Sequence, residues 1–103
     1  MTEGWIGVDL DGTLAHYESG QFPVIGDPIP RMMNRVRGWL AKGKTVKIFT
    51  ARACEPEGIP PVKAWLQKVG LPDLEVTNAK DYNMVEFWDD RAISVIPNTG
   101  MVR

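Results

Sequence analysis

The chain has 103 residues, 44% of them apolar, with a net charge of −1 and a pI near 5.8. That is the length of a single domain, residues 1–103, with a modest core. The charge balance excludes a global attraction to nucleic acid or acidic membranes and leaves a nucleic-acid partner only a locally basic groove. The one cysteine, Cys54, excludes an internal disulfide. The start, Met1-Thr2-Glu3-Gly4-Trp5, lacks the pattern of a signal peptide, and no apolar run reaches membrane-spanning length. Together these point to a cytoplasmic protein.

Trp5-Ile6-Gly7-Val8 is a short apolar run that stops at Asp9 and reads as a buried strand. Residues 12–27, with Gly12, Gly20, Pro23, Gly26 and Asp27, read as loop. Asp27-Pro28 has the form of a helix N-cap followed by proline. Ile29, Met32, Met33, Val36 and Leu40 then recur at helical spacing, and Gly43 closes the helix. Thr45–Thr50 reads as a second strand and 51–61 as loop. A second helix starts near Pro60-Pro61, with Val62, Trp65, Leu66 and Val69 on its apolar face and Gly70 at its end. Leu74–Thr77, Val85–Trp88 and Ile93–Ile96 read as three further strands. Pro97-Asn98-Thr99-Gly100 reads as a turn, after which the last three residues pair briefly or fray. Apolar and amphipathic runs alternate, which predicts β-α-β units and a parallel sheet. The four tryptophans are expected to be core or interface anchors.

The polar chemistry sits at strand ends. Asp9 and Asp11 follow the first strand, Thr50 ends the second, and Asp89 and Asp90 follow the fourth. Ligands of open α/β sheets bind at the carboxyl ends of the strands, so three strand ends offer polar groups to one crevice. Asp9 and Asp11, two apart on extended chain, project to the same side. Carboxylates so placed raise one another's pKa unless a cation neutralises them. Mg2+ suits such hard oxygen donors, with Asp89 or Asp90 supplying another. Gly12 permits a sharp turn, the Thr50 hydroxyl and the Ala51 amide offer donors, and Lys80 offers a positive charge. Carboxylate nucleophile, metal, amides, hydroxyl and ammonium together make a phosphoryl-transfer site.

These residues resemble the motifs of the haloacid dehalogenase (HAD) superfamily. Its first motif, Asp-x-Asp-x-Thr, is matched by Asp9-Leu10-Asp11-Gly12-Thr13. Its second, a Ser or Thr ending the second strand, is matched by Thr50. Its third, a lysine, is matched best by Lys80, with Lys63 and Lys68 on the second helix as poorer substitutes. Its fourth, an acidic pair, is matched by Asp89-Asp90. The four occur in order over residues 5–96. The resemblance implies a Rossmann-like three-layer sandwich whose mainly parallel five-stranded sheet has the order 3-2-1-4-5.

It also implies a Mg2+-dependent phosphomonoesterase. Asp9 attacks phosphorus and becomes an aspartyl phosphate, while Asp11 is the general acid and base. The Asp9 carboxylate, the Asp11 carbonyl, Asp89 and Asp90 serve the metal. Leu10, Thr50, Ala51 and Lys80 serve the phosphate, and Thr13 braces the loop. The intervals 14–27 and 78–84 are too short for a cap domain, so the resemblance is to a capless member with an open site. Such a site suits a macromolecular substrate or closure by a second copy of the chain. Two rivals stand beside this reading. One is a nucleic-acid 3′-phosphatase similar to the phosphatase half of polynucleotide kinase-phosphatases. The other is a non-catalytic module that binds a phosphorylated ligand.

Blander readings compete at single residues. A lone Asp-x-Asp-Gly can be a turn. An EF-hand loop fails, because its glycine would fall on Leu14 and its closing glutamate on Gly20. Arg52 is either a substrate contact or half of an exposed salt bridge. His16 reads as an exposed loop histidine. Tyr17 and Phe22 either stack on a ligand ring or pack the loop down. Cys54 lies near the pocket without an evident base beside it.

Overall fold

The computed structural model describes residues 4–103. Met1, Thr2 and Glu3, on which the expectation about the start of the chain rests, lie outside the described residues. The chain forms β1 (Trp5–Asp9), α1 (Pro30–Ala41), β2 (Thr45–Phe49), α2 (Ile59–Lys68), β3 (Val76–Thr77) and β4 (Met84–Trp88). Two 3-10 turns, Ala51–Cys54 and Pro56–Gly58, join β2 to α2. The sheet has four strands in the order β3-β2-β1-β4, and every pairing is parallel. This is a small α/β domain compatible with a Rossmann-like fold. No helix among the described residues is long and apolar enough to cross a membrane.

The helices obey local rules. Helix α1 starts at Pro30 and not at Asp27-Pro28 as the capping pattern predicts. Ile29 precedes a proline and is held extended at φ −90° and ψ 112°, and its N–H donates to the Leu14 carbonyl, so the helix cannot begin earlier. Both helices end where a glycine was expected. Gly43 (φ 79°) and Gly70 (φ 86°) take the left-handed conformation. The N–H of Lys44 reaches back to Trp39 and that of Leu71 to Leu66, closing each helix end.

Strand order decides which face each helix covers. Moving from β1 to β2 to β3, the chain steps always in one direction across the sheet. Right-handed crossovers therefore place α1 and α2 on the same face. There they bury Ile6, Val8, Val46 and Ile48 against Met33, Val36, Val62 and Leu66. The step from β3 to β4 reverses direction, so its crossover must pass over the opposite face. Seven Cα steps separate Thr77 from Met84 and span at most about 25 Å. The path to be covered, three strand spacings across and about four residues along, is roughly 20 Å. A helix advances only 1.5 Å per residue, so the connection is nearly taut and has no room for one.

The fold therefore departs from the expected three-layer sandwich. Among the described residues it has two layers, and the second sheet face carries no helix. That face presents Trp5, Gly7, Lys47, Phe49 and Phe87. The Lys47 ammonium lies 4.5 Å from the Trp5 ring centre, and the Phe49 and Phe87 rings are 4.8 Å apart.

Among the described residues the expected fifth strand is absent too. Residues 93–96 turn back on the end of the chain instead of pairing with β4. Val95 bridges Val102, and the Ile96 and Arg103 amides donate to the carbonyls of Met101 and Ser94. Asn98 and Gly100, both at positive φ, make the intervening turn where the sequence predicts one. The order is accordingly 3-2-1-4, with β4 at the edge. Of Leu74–Thr77, only Val76 and Thr77 pair as a strand.

Candidate functional site

Asp9 is the last residue of β1, and Asp89 and Asp90 follow β4, the strand beside it. One carboxylate oxygen from each of Asp9, Asp89 and Asp90 lies within 4.8 Å of the others. The Thr13 hydroxyl, almost fully buried, is 3.3 Å from Asp90 Oδ1 and 3.5 Å from Asp9 Oδ2, so it ties the two strand ends together. The loop holding it closes tightly, since the amides of Leu14 and Ala15 both donate to the Leu10 carbonyl. Gly12, at φ 90°, lies against the Asp90 carboxylate, where a Cβ would come within 2.6 Å of Oδ2.

The electrostatics follow from this crowding. Burial pushes the Asp9 carboxyl up to about 8, and the hydrogen bond it donates to Asp90 and the charge of Asp89 add to the rise. For Asp90 burial again raises the pKa. The hydrogen bonds it accepts, first from Asp9 and then from its own amide and Thr13, outweigh burial and leave it below the usual carboxylate range. The pair thus shares a proton, held mainly on Asp9.

Asp11 behaves differently. Its carboxylate turns toward β2 and receives a fork of two bonds from Arg52, Nε to Oδ2 at 2.7 Å and Nη2 to Oδ1 at 2.9 Å. The sequence reading offered an exposed salt bridge for Arg52. The bridge exists, but the Arg52 side chain is only 7% exposed. The same guanidinium donates to the Pro23 carbonyl at 2.7 Å and stacks 5.0 Å from the Phe22 ring centre. Arg52 therefore links the end of β2, the general acid/base candidate and the loop over the site. Its position two residues after a strand-end threonine was the one available signal for this role.

Thr50 is buried, and its hydroxyl accepts the Arg52 amide at 3.1 Å, capping the 3-10 turn. The hydroxyl proton can still be donated outward. Asp9, Asp11, Thr50, Ala51, Asp89 and Asp90 all border one cleft of about 1030 Å³. The Leu10 side chain is wholly buried in the core, so only its backbone can serve a phosphate. Lys80 is not brought to this cleft. It borders a second cavity with Asp81, Tyr82 and Glu86, on the taut β3–β4 connection. Lys63 is engaged by Asp73 at 2.8 Å. Tyr17, Phe22 and Cys54 line the cleft, and exposed His16 lies 3.9 Å from Glu18 in the same loop. Sequence reasoning missed Phe49, Phe87 and Arg91, which line the cleft as well.

No protein-family model and no curated protein sequence matches the chain. Among solved structures, the fold is similar to that of a conserved protein from Bacteroides thetaiotaomicron, with a TM-score of 0.70 and 22% identity over 94% of this chain and 84% of that one. That likeness shows a shared fold.

Proposed function

We propose that the chain is a phosphomonoester hydrolase of the HAD type, working through an aspartyl phosphate on Asp9. The observation that carries this reading is the meeting of Asp9, Asp89 and Asp90 oxygens within 4.8 Å at the carboxyl ends of neighbouring strands. Asp11 stands two residues on, and Thr50 closes the next strand. Three carboxylates with one proton too many are a donor set suited to a hard divalent cation, and Mg2+ fits it. Asp9, Asp89 and Asp90, with the Asp11 carbonyl, would hold the ion, which supplies electrostatic stabilisation of the transferring phosphoryl group.

The protein's own groups do the rest. The Asp9 carboxylate attacks phosphorus, and the bond to the leaving oxygen breaks. Asp11, held in reserve by the Arg52 fork, must turn out of it and take up a proton from solvent before it gives that oxygen a proton, and it later takes one from the water that hydrolyses the acyl phosphate. The Thr50 hydroxyl and the Ala51 N–H donate to phosphoryl oxygens. A pure phosphate binder has no use for the proton-carrying Asp11. Phosphate release from aryl, sugar and nucleotide monoesters, titrated with Mg2+, tests the reading. Wild type is expected to turn over only with the cation, and Asp9→Asn to lose turnover while keeping its circular dichroism spectrum. Full activity in Asp9→Asn removes the nucleophile assignment.

A further inference from the structure

The cleft is walled by rings. Asp9 pairs in register with Phe49, so both belong to the sheet face that carries no helix. Phe87, two residues before Asp89, lies against Phe49 with ring centres 4.8 Å apart. Phe87 also borders the second cavity, beside Lys80 and Tyr82. Tyr17 and Phe22 of the loop line the cleft too, 39% and 66% exposed, with Phe22 backed by the Arg52 guanidinium. Rings from the sheet face and from the loop thus border the same cleft as Asp9, a lining suited to a flat ring.

The charges narrow the occupant. Six carboxylates line the cleft against two guanidiniums, those of Arg52 and Arg91. Arg52 is already committed to Asp11. Even with a divalent cation bound, negative charge is in surplus. Two of the six, Glu55 and Glu57, lie on the β2–α2 connection, away from the three-aspartate cluster. They repel any further anion and accept hydrogen bonds from ring N–H or sugar hydroxyl groups.

We infer that the cleft takes a small monophosphate whose leaving group is a flat ring system with no second anionic group, the ring lying between the Phe49–Phe87 pair and the Tyr17–Phe22 loop. The inference rests on the hydrolase reading for the fate of the phosphate, but ring recognition is separable from turnover. An aryl phosphate and a nucleoside monophosphate share this chemistry. A nucleic-acid end does not, because its neighbouring phosphates meet carboxylates.

Calorimetric titration of the Mg2+-loaded full chain with phenylphosphonate and methylphosphonate, neither of which can be hydrolysed, reads the slot directly. The phenyl compound is expected to bind at least about tenfold more tightly, about 1.4 kcal/mol. That preference is expected to shrink toward one in Phe87→Ala and in Phe22→Ala, both partly exposed positions that tolerate truncation. Equal binding of the two phosphonates, or a preference unchanged in both variants, overturns the inference whatever the turnover. Ring-selective binding with no hydrolysis of any monoester overturns the hydrolase reading and leaves the slot standing. Where turnover occurs, comparison of phenyl phosphate with a nucleoside 5′-monophosphate identifies the source of the ring. Lower kcat/KM for a nucleoside 3′,5′-bisphosphate supports the anion exclusion. Preference for a 3′-phosphorylated oligonucleotide overturns it.

Discussion

Arg52 grips Asp11 through two parallel hydrogen bonds of 2.7 and 2.9 Å while its remaining nitrogen holds the Pro23 carbonyl. One guanidinium thus contacts both the Asp11 carboxylate and the loop that carries Tyr17 and Phe22. The fork geometry matters, because a lysine offers a point charge and cannot bind both carboxylate oxygens in a plane while reaching the loop.

Replacing Arg52 tests this arrangement. Arg52→Ala is expected to cost about 2 kcal/mol of stability, the scale of hydrogen bonds to a charged group, since Asp11 keeps partial access to water. It is also expected to lower kcat/KM by at least about tenfold. Arg52→Lys should recover the charge without the fork and fall between. Urea unfolding, kcat/KM and limited proteolysis within residues 16–27 give the three readouts. Unchanged proteolysis of the loop in Arg52→Ala would separate loop position from Arg52.

Asp9 makes stability depend on pH in a definite direction. Its folded pKa of about 8 lies above the ordinary aspartate value of about 3.9. Between those limits the native state binds more protons than the unfolded chain. Without a divalent cation, stability therefore falls as pH rises from about 4 to about 8. Asp90 and Asp81 lie below the usual range, Asp81 chiefly through the Trp5 indole N–H, so their contributions are lost only at more acid pH. Melting in EDTA should be higher at pH 5 than at pH 8. Asp9→Asn should flatten that difference and melt above wild type at pH 8. Added Mg2+ should raise the wild-type melting temperature most at pH 8, where the site carries most charge. A melting temperature that rises with pH in EDTA would contradict the crowding of the three carboxylates.

The carboxylates and the threonine that meet in the cleft were legible in the sequence because each stands at a boundary the sequence marks. Asp9 ends an apolar run, Thr50 ends another, and Asp89-Asp90 ends a third. Parallel topology gathers such ends with no further information. What the sequence hid depends on distance in three dimensions. The missing helix layer follows from a six-residue connection that must cross three strand spacings, which no periodicity reveals. That same crossing draws Lys80 away from the cleft where its motif placed it. Ile93–Ile96 has the composition of a strand, but a turn with Asn98 and Gly100 at positive φ folds it onto residues 101–103. The Arg52 fork joins residues 41 apart in sequence and leaves no local pattern.

Gly12 separates backbone strain from site geometry. At φ 90° any side chain there is strained, and its Cβ would also meet Asp90 Oδ2 at 2.6 Å. Gly43 offers a comparison, since its φ is 79° and the space around its missing Cβ is open. Gly43→Ala should therefore show the backbone cost alone, about 1–2 kcal/mol. Gly12→Ala should show that cost plus displacement of the Asp90 carboxylate, for about 2–4 kcal/mol in total. Only Gly12→Ala should also weaken Mg2+ binding, by at least about tenfold, because it moves one of the three carboxylates. Urea unfolding of both variants and Mg2+ titration by calorimetry provide the comparison. Equal losses of stability in the two variants, with unchanged Mg2+ affinity, would mean that Asp90 yields freely and that Gly12 serves only the turn.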